Sequence, residues 1–106
     1  AAMHYFTKAY EDDPTFQRVR LERGILLYRE LNRYDEALAD FNYLLNEESD
    51  YSSQALLNRA LLYQQKAMFA ESLADLNAFL ELPPDEYYQE AFRMRTVLQA
   101  MLPDES

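Results

Sequence analysis

The fold of this chain is decided by the stretch Ala37-Leu-Ala-Asp-Phe-Asn-Tyr-Leu-Leu45, which returns 35 residues later as Ser72-Leu-Ala-Asp-Leu-Asn-Ala-Phe-Leu80. Five of the nine positions are identical. A shorter match keeps the same step, since Leu-Leu-Tyr at 26–28 recurs at 61–63. Both stretches space their apolar residues at three and four positions, which is typical of a helix. Such a period indicates stacked helical units that bury a continuous core together.

Each repeat is predicted to contain two helices, which we call first-type and second-type in chain order. The first-type helices cover roughly 15–31, 52–66 and 85–102, and the second-type helices cover roughly 1–12, 34–48 and 69–82. The core stripe predicted for the earliest first-type helix is Leu21, Gly24, Ile25, Tyr28 and Leu31. Its later counterparts are Leu56, Ala60 and Tyr63, then Tyr87, Ala91, Met94, Leu98 and Leu102. The second-type stripes are Ala37, Phe41 and Leu44, then Leu73, Leu76, Phe79 and Leu80.

The step between repeats is not uniform. Arg23-Gly24 and Arg59-Ala60 lie 36 residues apart, while the tyrosines that follow them, Tyr28 and Tyr63, lie 35 apart. The register therefore slips by one residue inside the first full repeat.

These residues resemble the tetratricopeptide repeat, a helix–turn–helix unit of about 34 residues with small and aromatic signature positions. The matching motif is Gly24, Tyr28, Tyr34, Ala37 and Phe41, then Ala60, Tyr63, Phe69, Ser72, Leu76 and Pro84. The chain departs from the family by having no tryptophan and by carrying Ser49 where a proline would close the first full unit.

The resemblance implies an all-α fold, a right-handed superhelical stack of antiparallel helix pairs with about six helices. It implies one domain over residues 1–106. Within it we expect the second helix of a truncated repeat at 1–14, full repeats at 15–50 and 51–84, and a further first-type or capping helix at 85–106.

Composition excludes several classes of function. Nineteen acidic residues against ten basic ones give a formal charge of −9, which disfavours binding to duplex nucleic acid. No apolar run approaches the ~20 residues that span a bilayer, so membrane insertion is not expected. The absence of cysteine excludes disulfides and thiolate chemistry.

An enzymatic function is also not expected. The single histidine, His4, is predicted on the solvent side of its helix, with no second imidazole or thiol to assist it. The carboxylate pairs Asp12-Asp13, Glu47-Glu48 and Asp85-Glu86 fall at predicted helix junctions, where they are solvated. We therefore predict no catalytic residue, no cofactor and no metal site.

The charges differ between the two types of helix. Within the predicted ranges, the first-type helices hold eight basic and five acidic residues, a net charge of +3, and the rest of the chain has −12. In the resembled family the first-type helices line a concave groove. The resemblance thus implies a mildly cationic groove within an acidic shell, suited to an acidic peptide of a partner protein.

Helical geometry and the 35-residue step then predict the residues of this groove. Arg23, Asn58 and Arg93 form a ladder of hydrogen-bond donors, with apolar and amide side chains beside it. The complete predicted set is Arg23, Leu26, Gln54, Leu57, Asn58, Leu61, Gln65, Gln89, Phe92 and Arg93.

Alternatives remain open for these residues. Arg23 and Arg59 lie 17 and 16 residues before Asp40 and Asp75, close enough across a hairpin to form ion pairs instead. The apolar members of the set have the alternative of packing against another helix.

One subgroup of the family grips the C-terminal carboxylate of heat-shock chaperones through five basic or amide residues. Asn58 and Arg93 match two of those positions, while Glu22, Leu26 and Gln89 occupy the other three, which disfavours a complete clamp.

Two rival functions stand beside peptide binding. One is a structural segment that self-associates as a homo-oligomer through an uncovered face of the first predicted helix, around Ala2, Tyr5, Phe6 and Ala9. The other is an accessory domain of an enzyme whose catalytic residues lie outside these 106.

Overall fold

The computed structural model describes residues 17–46 and 50–102 of the 106. Within these two ranges the chain forms helices and no strand, so the prediction of an all-α fold is confirmed. The helices are α1 (Gln17–Arg29), α2 (Tyr34–Asn46), α3 (Ser52–Gln65), α4 (Phe69–Leu80) and α5 (Tyr88–Met101). The first predicted helix, His4, Ser49 and two of the carboxylate pairs lie outside the described residues.

The chain divides into two compact units, residues 1–55 and 56–106. The first unit contains the hairpin of α1 and α2, and the second contains most of α3 together with α4 and α5. The prediction of one domain over 1–106, with repeat boundaries at 15, 51 and 85, stays a prediction.

The core of the first unit lies between α1 and α2. Phe41 is completely buried, and its ring meets that of Tyr28 edge to face with centroids 5.9 Å apart. Burial raises the pKa of the Tyr28 hydroxyl above its usual value of 10.0, against an opposing effect of the neighbouring Arg29. Leu31, predicted in the core stripe, is 42% exposed because α1 ends two residues before it. Leu27, absent from the predicted stripe, is buried.

Close packing against α2 requires glycine at position 24. A Cβ atom built on it would lie 2.6 Å from Cε1 of Phe41, inside van der Waals contact. The corresponding pair in the core of the second unit is Ala60 and Leu76. Alanine is larger than the glycine at the same position of α1, and leucine is smaller than the phenylalanine at the same position of α2. The sizes of the two side chains are therefore complementary in each hairpin.

The core of the second unit draws on all three of its helices. Its buried members are Leu57, Ala60, Leu76, Phe79, Ala91 and Leu98. Leu56, Phe69, Leu73, Leu80 and Met94 pack against them partly buried. Of these eleven, all but Leu57 and Phe69 belong to the predicted stripes. Tyr87, also predicted in a stripe, is exposed because it precedes α5.

The turn between the two helices of each hairpin contains a non-glycine residue with a left-handed backbone. These residues are Asn32 (φ 54°) and Ala67 (φ 59°), which lie 35 positions apart. After α3, the amide of Ala67 donates to the carbonyl of Gln64 (3.0 Å) and that of Met68 to the carbonyl of Tyr63 (2.8 Å), which is a Schellman motif. Two separate turns thus place a left-handed residue at the same point of the repeat.

The first turn is one residue longer than the second. Residues 30–33 join α1 to α2, and residues 66–68 join α3 to α4. In the longer turn the amide of Arg33 donates to the carbonyl of Leu27 over 2.9 Å, which closes a ring one residue wider than in the Schellman motif. The extra residue explains why Arg23 and Arg59 lie 36 residues apart while Asp40 and Asp75 lie 35 apart. It does not explain the step of 35 between Tyr28 and Tyr63, which both precede the turns.

Replacing Ala67 with glycine is expected to stabilise the chain. A left-handed backbone costs an L-residue about 1–2 kcal/mol, which glycine avoids. Glycine also gives the unfolded chain more conformational freedom, which offsets part of this gain. We therefore expect the free energy of unfolding to rise by roughly 0.5–1 kcal/mol. Asn32→Gly is the matched control, and its gain should be smaller because asparagine tolerates this conformation. Urea unfolding of both variants measures the difference. Equal gains would contradict the argument that asparagine tolerates the left-handed conformation better than alanine.

Gly24→Ala is expected to destabilise the chain through its contact with Phe41. Overpacking lowers the free energy of unfolding by about 1–3 kcal/mol. The better helix propensity of alanine raises it by about 1 kcal/mol, which offsets part of this loss. In a Phe41→Leu background, which reproduces the pair of the second unit, the same substitution should be neutral or stabilising. A double-mutant cycle in urea measures this coupling, and additive effects would contradict the packing argument.

Candidate functional site

Arg23, the first member of the predicted ladder, is bound to the second-type helix of its own hairpin. Its Nε donates to Oδ2 of Asp40 over 2.8 Å, and its Nη2 donates to Oδ1. Nη1 of Arg20 lies 3.6 Å from the same Oδ1, and the Arg20 guanidinium stacks 3.6 Å above the centre of the Tyr43 ring. Asp40 is buried between the two arginines. This arrangement turns Arg23 towards α2 and makes it part of the hairpin.

Arg59 makes the same bidentate pair in the second unit. Its Nε and Nη2 donate to Oδ2 and Oδ1 of Asp75 over 2.8 and 2.6 Å, and these hydrogen bonds raise the pKa of Arg59. Beside them, the hydroxyl of Ser72 donates to the carbonyl of Ala60 over 2.8 Å. The alternative of pairing across the hairpin is thus confirmed for both arginines.

These pairs define which residues are equivalent in the two hairpins. Arg23 and Arg59 bind the same partner position and lie 36 residues apart, whereas the aspartates lie 35 apart because of the longer first turn. A step of 35 from Arg23 arrives at Asn58, one residue short. The predicted ladder therefore combines different positions of the hairpin.

The step of 36 instead of 35 between the first-type helices also explains why Leu57 is buried. In the register of 36 its counterpart is Leu21, a buried core residue, and Leu57 itself is only 9% exposed. It packs in the core of its unit and leaves little surface for a ligand. Arg93 lies one more step of 36 along the chain and is exposed.

The register of 36 also holds in α5. Ala91 and Leu98 are completely buried, as are Ala55 and Leu62 at 36 positions before them. Residues three and four apart share one side of a helix. Two exposed sides of α5 follow, one with Arg93, Val97 and Met101, and the other with Phe92, Thr96 and Gln99. Phe92 and Arg93, predicted in one groove, are both exposed and project about 100° apart around the helix, so each belongs to a different one of these two sets.

The remaining predicted residues are distributed over both units. Leu26, half-buried, and Gln54, exposed, belong to the first unit. Asn58, Leu61, Gln65 and Gln89 belong to the second, where Asn58 and Leu61 are half-buried and the two glutamines are exposed. The signal for the correct alignment was present in the sequence as the Arg-Gly and Arg-Ala pairs 36 residues apart.

No group of three histidine or carboxylate side chains is placed to bind a metal ion within 17–46 and 50–102. The carboxylate pair Asp85-Glu86 lies at the helix junction where it was predicted, and Oδ1 of Asp85 accepts a hydrogen bond from the amide of Tyr87 over 2.8 Å. Such an interaction is typical of a turn that precedes a helix.

We compared the chain with protein-family models, curated proteins and solved structures, and it matches none of them. Among the described residues, none of the helices has the length and apolar character needed to cross a membrane.

Removing either aspartate is expected to destabilise the chain, and Asp40→Ala more than Asp75→Ala. Loss of one partner of a buried ion pair costs about 3 kcal/mol because the other charge stays buried. Asp40→Ala removes the carboxylate that two arginines share, Arg20 and Arg23, while Asp75→Ala removes the carboxylate of one, Arg59. Urea unfolding of the two variants measures the order. Glu71→Ala, at an exposed position of α4, is the control and should change stability by less than about 1 kcal/mol.

Proposed function

We propose that this chain is a non-catalytic interaction module of the tetratricopeptide-repeat type, which binds a short acidic peptide of a partner protein. The proposed site, which we call the Arg93 surface, consists of Arg93, Val97 and Met101 on α5. Of the predicted groove it keeps Arg93 and leaves out Arg23, which pairs with Asp40, and Leu57, which lies in the core. The other seven predicted residues stay predictions.

The observation that carries the proposal is the exposed side of α5. Val97 and Met101 are each 55% exposed, although the opposite side of the same helix is anchored in the core by Ala91 and Leu98. Arg93 stands one turn before Val97, is exposed, and forms no ion pair with any described residue. A cation beside two exposed apolar side chains suits a peptide with a carboxylate and an aliphatic or aromatic residue.

The charges of the helices support an acidic ligand. The three first-type helices hold seven arginines and two glutamates, a net charge of +5, while the two second-type helices hold five acids and no base, a net charge of −5. Asp40 and Asp75 are bound by arginines within the hairpins, which leaves Asp35, Glu36 and Glu71 as the exposed acids of the second-type helices. The exposed arginines of the helices, Arg18, Arg29 and Arg93, all belong to first-type helices, which therefore repel a negatively charged peptide less than the second-type helices do.

The proposed site favours moderate affinity. Covering two half-exposed apolar side chains contributes about 1 kcal/mol each, and a charge-assisted hydrogen bond contributes about 1.5–3 kcal/mol. Ordering an extended peptide opposes these gains. We expect dissociation constants in the micromolar range or weaker.

A displayed peptide library, selected on the full chain, tests the proposal. The selected peptides should be enriched in aspartate and glutamate, and their affinity, measured by fluorescence anisotropy, should fall at high salt. Arg93→Glu and Met101→Glu should each weaken binding at least ten-fold. Arg18→Glu makes the same charge change as Arg93→Glu at an exposed position of α1 and should leave binding within about two-fold.

Selection of neutral or basic peptides, or equal binding to Arg93→Glu and wild type, would contradict the assignment of this surface. In the first case the chemistry of the ligand is wrong, and in the second the position of the site is wrong.

A further inference from the structure

The side of α5 that carries Phe92, Arg95 and Thr96 is a third copy of a face that binds a helix in both hairpins. In the register of 36, their counterparts on α3 are Leu56, Arg59 and Ala60. On α3 this face receives α4, through the pair of Arg59 with Asp75 and the hydrogen bond from Ser72 to Ala60. On α5, no second-type helix covers it within the described part of the chain.

Arg95 has the position of the hairpin arginines but lacks their partner. Its Nε is buried and has no hydrogen-bond acceptor among the described residues. Its Nη1 lies 3.4 Å from Oδ1 of Asn77, beyond the usual range for such a bond, and its guanidinium lies 5.1 Å from the centre of the Phe92 ring. In Arg23 and Arg59 the same Nε atom donates to an aspartate. By analogy with these two arginines, a carboxylate is the acceptor that would complete the position.

We infer that this face, the Arg95 face, binds a helix of a partner protein that presents an aspartate in the pattern small-x-x-Asp-apolar. This chain contains that pattern twice, as Ala37 to Phe41 and as Ser72 to Leu76, and each copy is docked on a first-type helix. The incoming aspartate accepts hydrogen bonds from Arg95, which leaves Asn77. The small residue three positions before it lies close to the backbone of α5, as Ser72 lies close to that of Ala60.

The sizes of the facing side chains specify the residue that follows the aspartate. Gly24 on α1 faces Phe41, and Ala60 on α3 shares its core with the smaller Leu76. Thr96 is larger than either glycine or alanine, so the residue opposite it should be smaller than leucine. A valine after the aspartate fits this trend, and a phenylalanine does not.

Charge complementarity is the reason for committing to a partner's acidic helix. An apolar helix would leave the buried Nε of Arg95 without an acceptor, at the cost of an unsatisfied polar atom. A helix is favoured over an extended peptide because the equivalent face accommodates a helix in both hairpins.

A synthetic helix with the sequence of Phe69–Leu80 serves as the probe. Ala70 and Ala74 are exposed in the folded chain, four residues apart, and can be replaced by a hydrocarbon link that keeps the peptide helical. In the full chain the equivalent face of α3 is occupied by α4, which is attached by a three-residue turn and thus present at high effective concentration. The probe therefore reports on the Arg95 face.

Fluorescence anisotropy should show binding of this probe to the full chain. Asparagine in place of the probe's aspartate should weaken binding roughly ten- to a hundred-fold, because a charge-assisted bidentate pair is lost. Replacing the leucine after the aspartate with valine should strengthen binding, and replacing it with phenylalanine should weaken it.

Variants of the chain locate the site. Arg95→Gln should weaken binding at least ten-fold, and Arg95→Lys, which keeps the charge without the planar fork, should also weaken it. Thr96→Glu lies at an exposed position, preserves the fold, and should repel the probe's aspartate. Met101→Glu, on the Arg93 surface, should leave binding of the helix unchanged, whereas Arg95→Gln should leave binding of the acidic peptides unchanged. The two proposals can thus fail independently.

Three results would overturn the inference. The first is absence of binding at millimolar probe, and the second is equal binding of the aspartate and asparagine probes. The third is a dimer of the chain alone in sedimentation experiments that Arg95→Gln dissolves, which would assign the face to a second copy rather than to a partner.

Discussion

The bidentate ion pair between an arginine of a first-type helix and an aspartate of the following second-type helix is the interaction on which each hairpin depends. It occurs as Arg23 with Asp40 and as Arg59 with Asp75, and in both cases the aspartate is buried. A buried carboxylate is stable only when its charge is compensated, so the pair holds the two helices in one register. The small residue next to the arginine, Gly24 or Ala60, then meets a fixed apolar partner. Charge and packing therefore select the same alignment.

This alignment changes the meaning of the arginines. As exposed cations they would have suited a carboxylate ligand, but two of them already bind a carboxylate of the chain itself. In the second unit, Arg93 remains exposed on its first-type helix. Arg95, on the same helix, has the position of the hairpin arginines but no aspartate beside it among the described residues. The two proposed surfaces follow from this difference: one offers a cation beside exposed apolar side chains, and the other reproduces a helix-binding face.

The sequence and the structure agree on the helices and on most core positions. The stripes through Gly24, Tyr28 and Phe41, and through Ala60 and Leu76, were readable because helical periodicity places every third or fourth residue on one side. The errors occurred at helix ends, where Leu31 and Tyr87 lie beyond the last or before the first turn, and at Leu57, where the register had shifted. Periodicity does not reveal at which residue a helix stops, because capping and turn geometry decide it.

The sequence by itself determined the helical class, the repeat of about 35 residues and the acidic charge, since these depend on local spacing and composition. Only the tertiary structure decided which turn contains the additional residue, which arginines are used inside the hairpins and which exposed side chains share one side of α5. The physical reason is that one inserted residue rotates a helix by about 100° relative to its partner. Equivalence between positions is then defined by the partner that each side chain binds, and that partner lies on another helix.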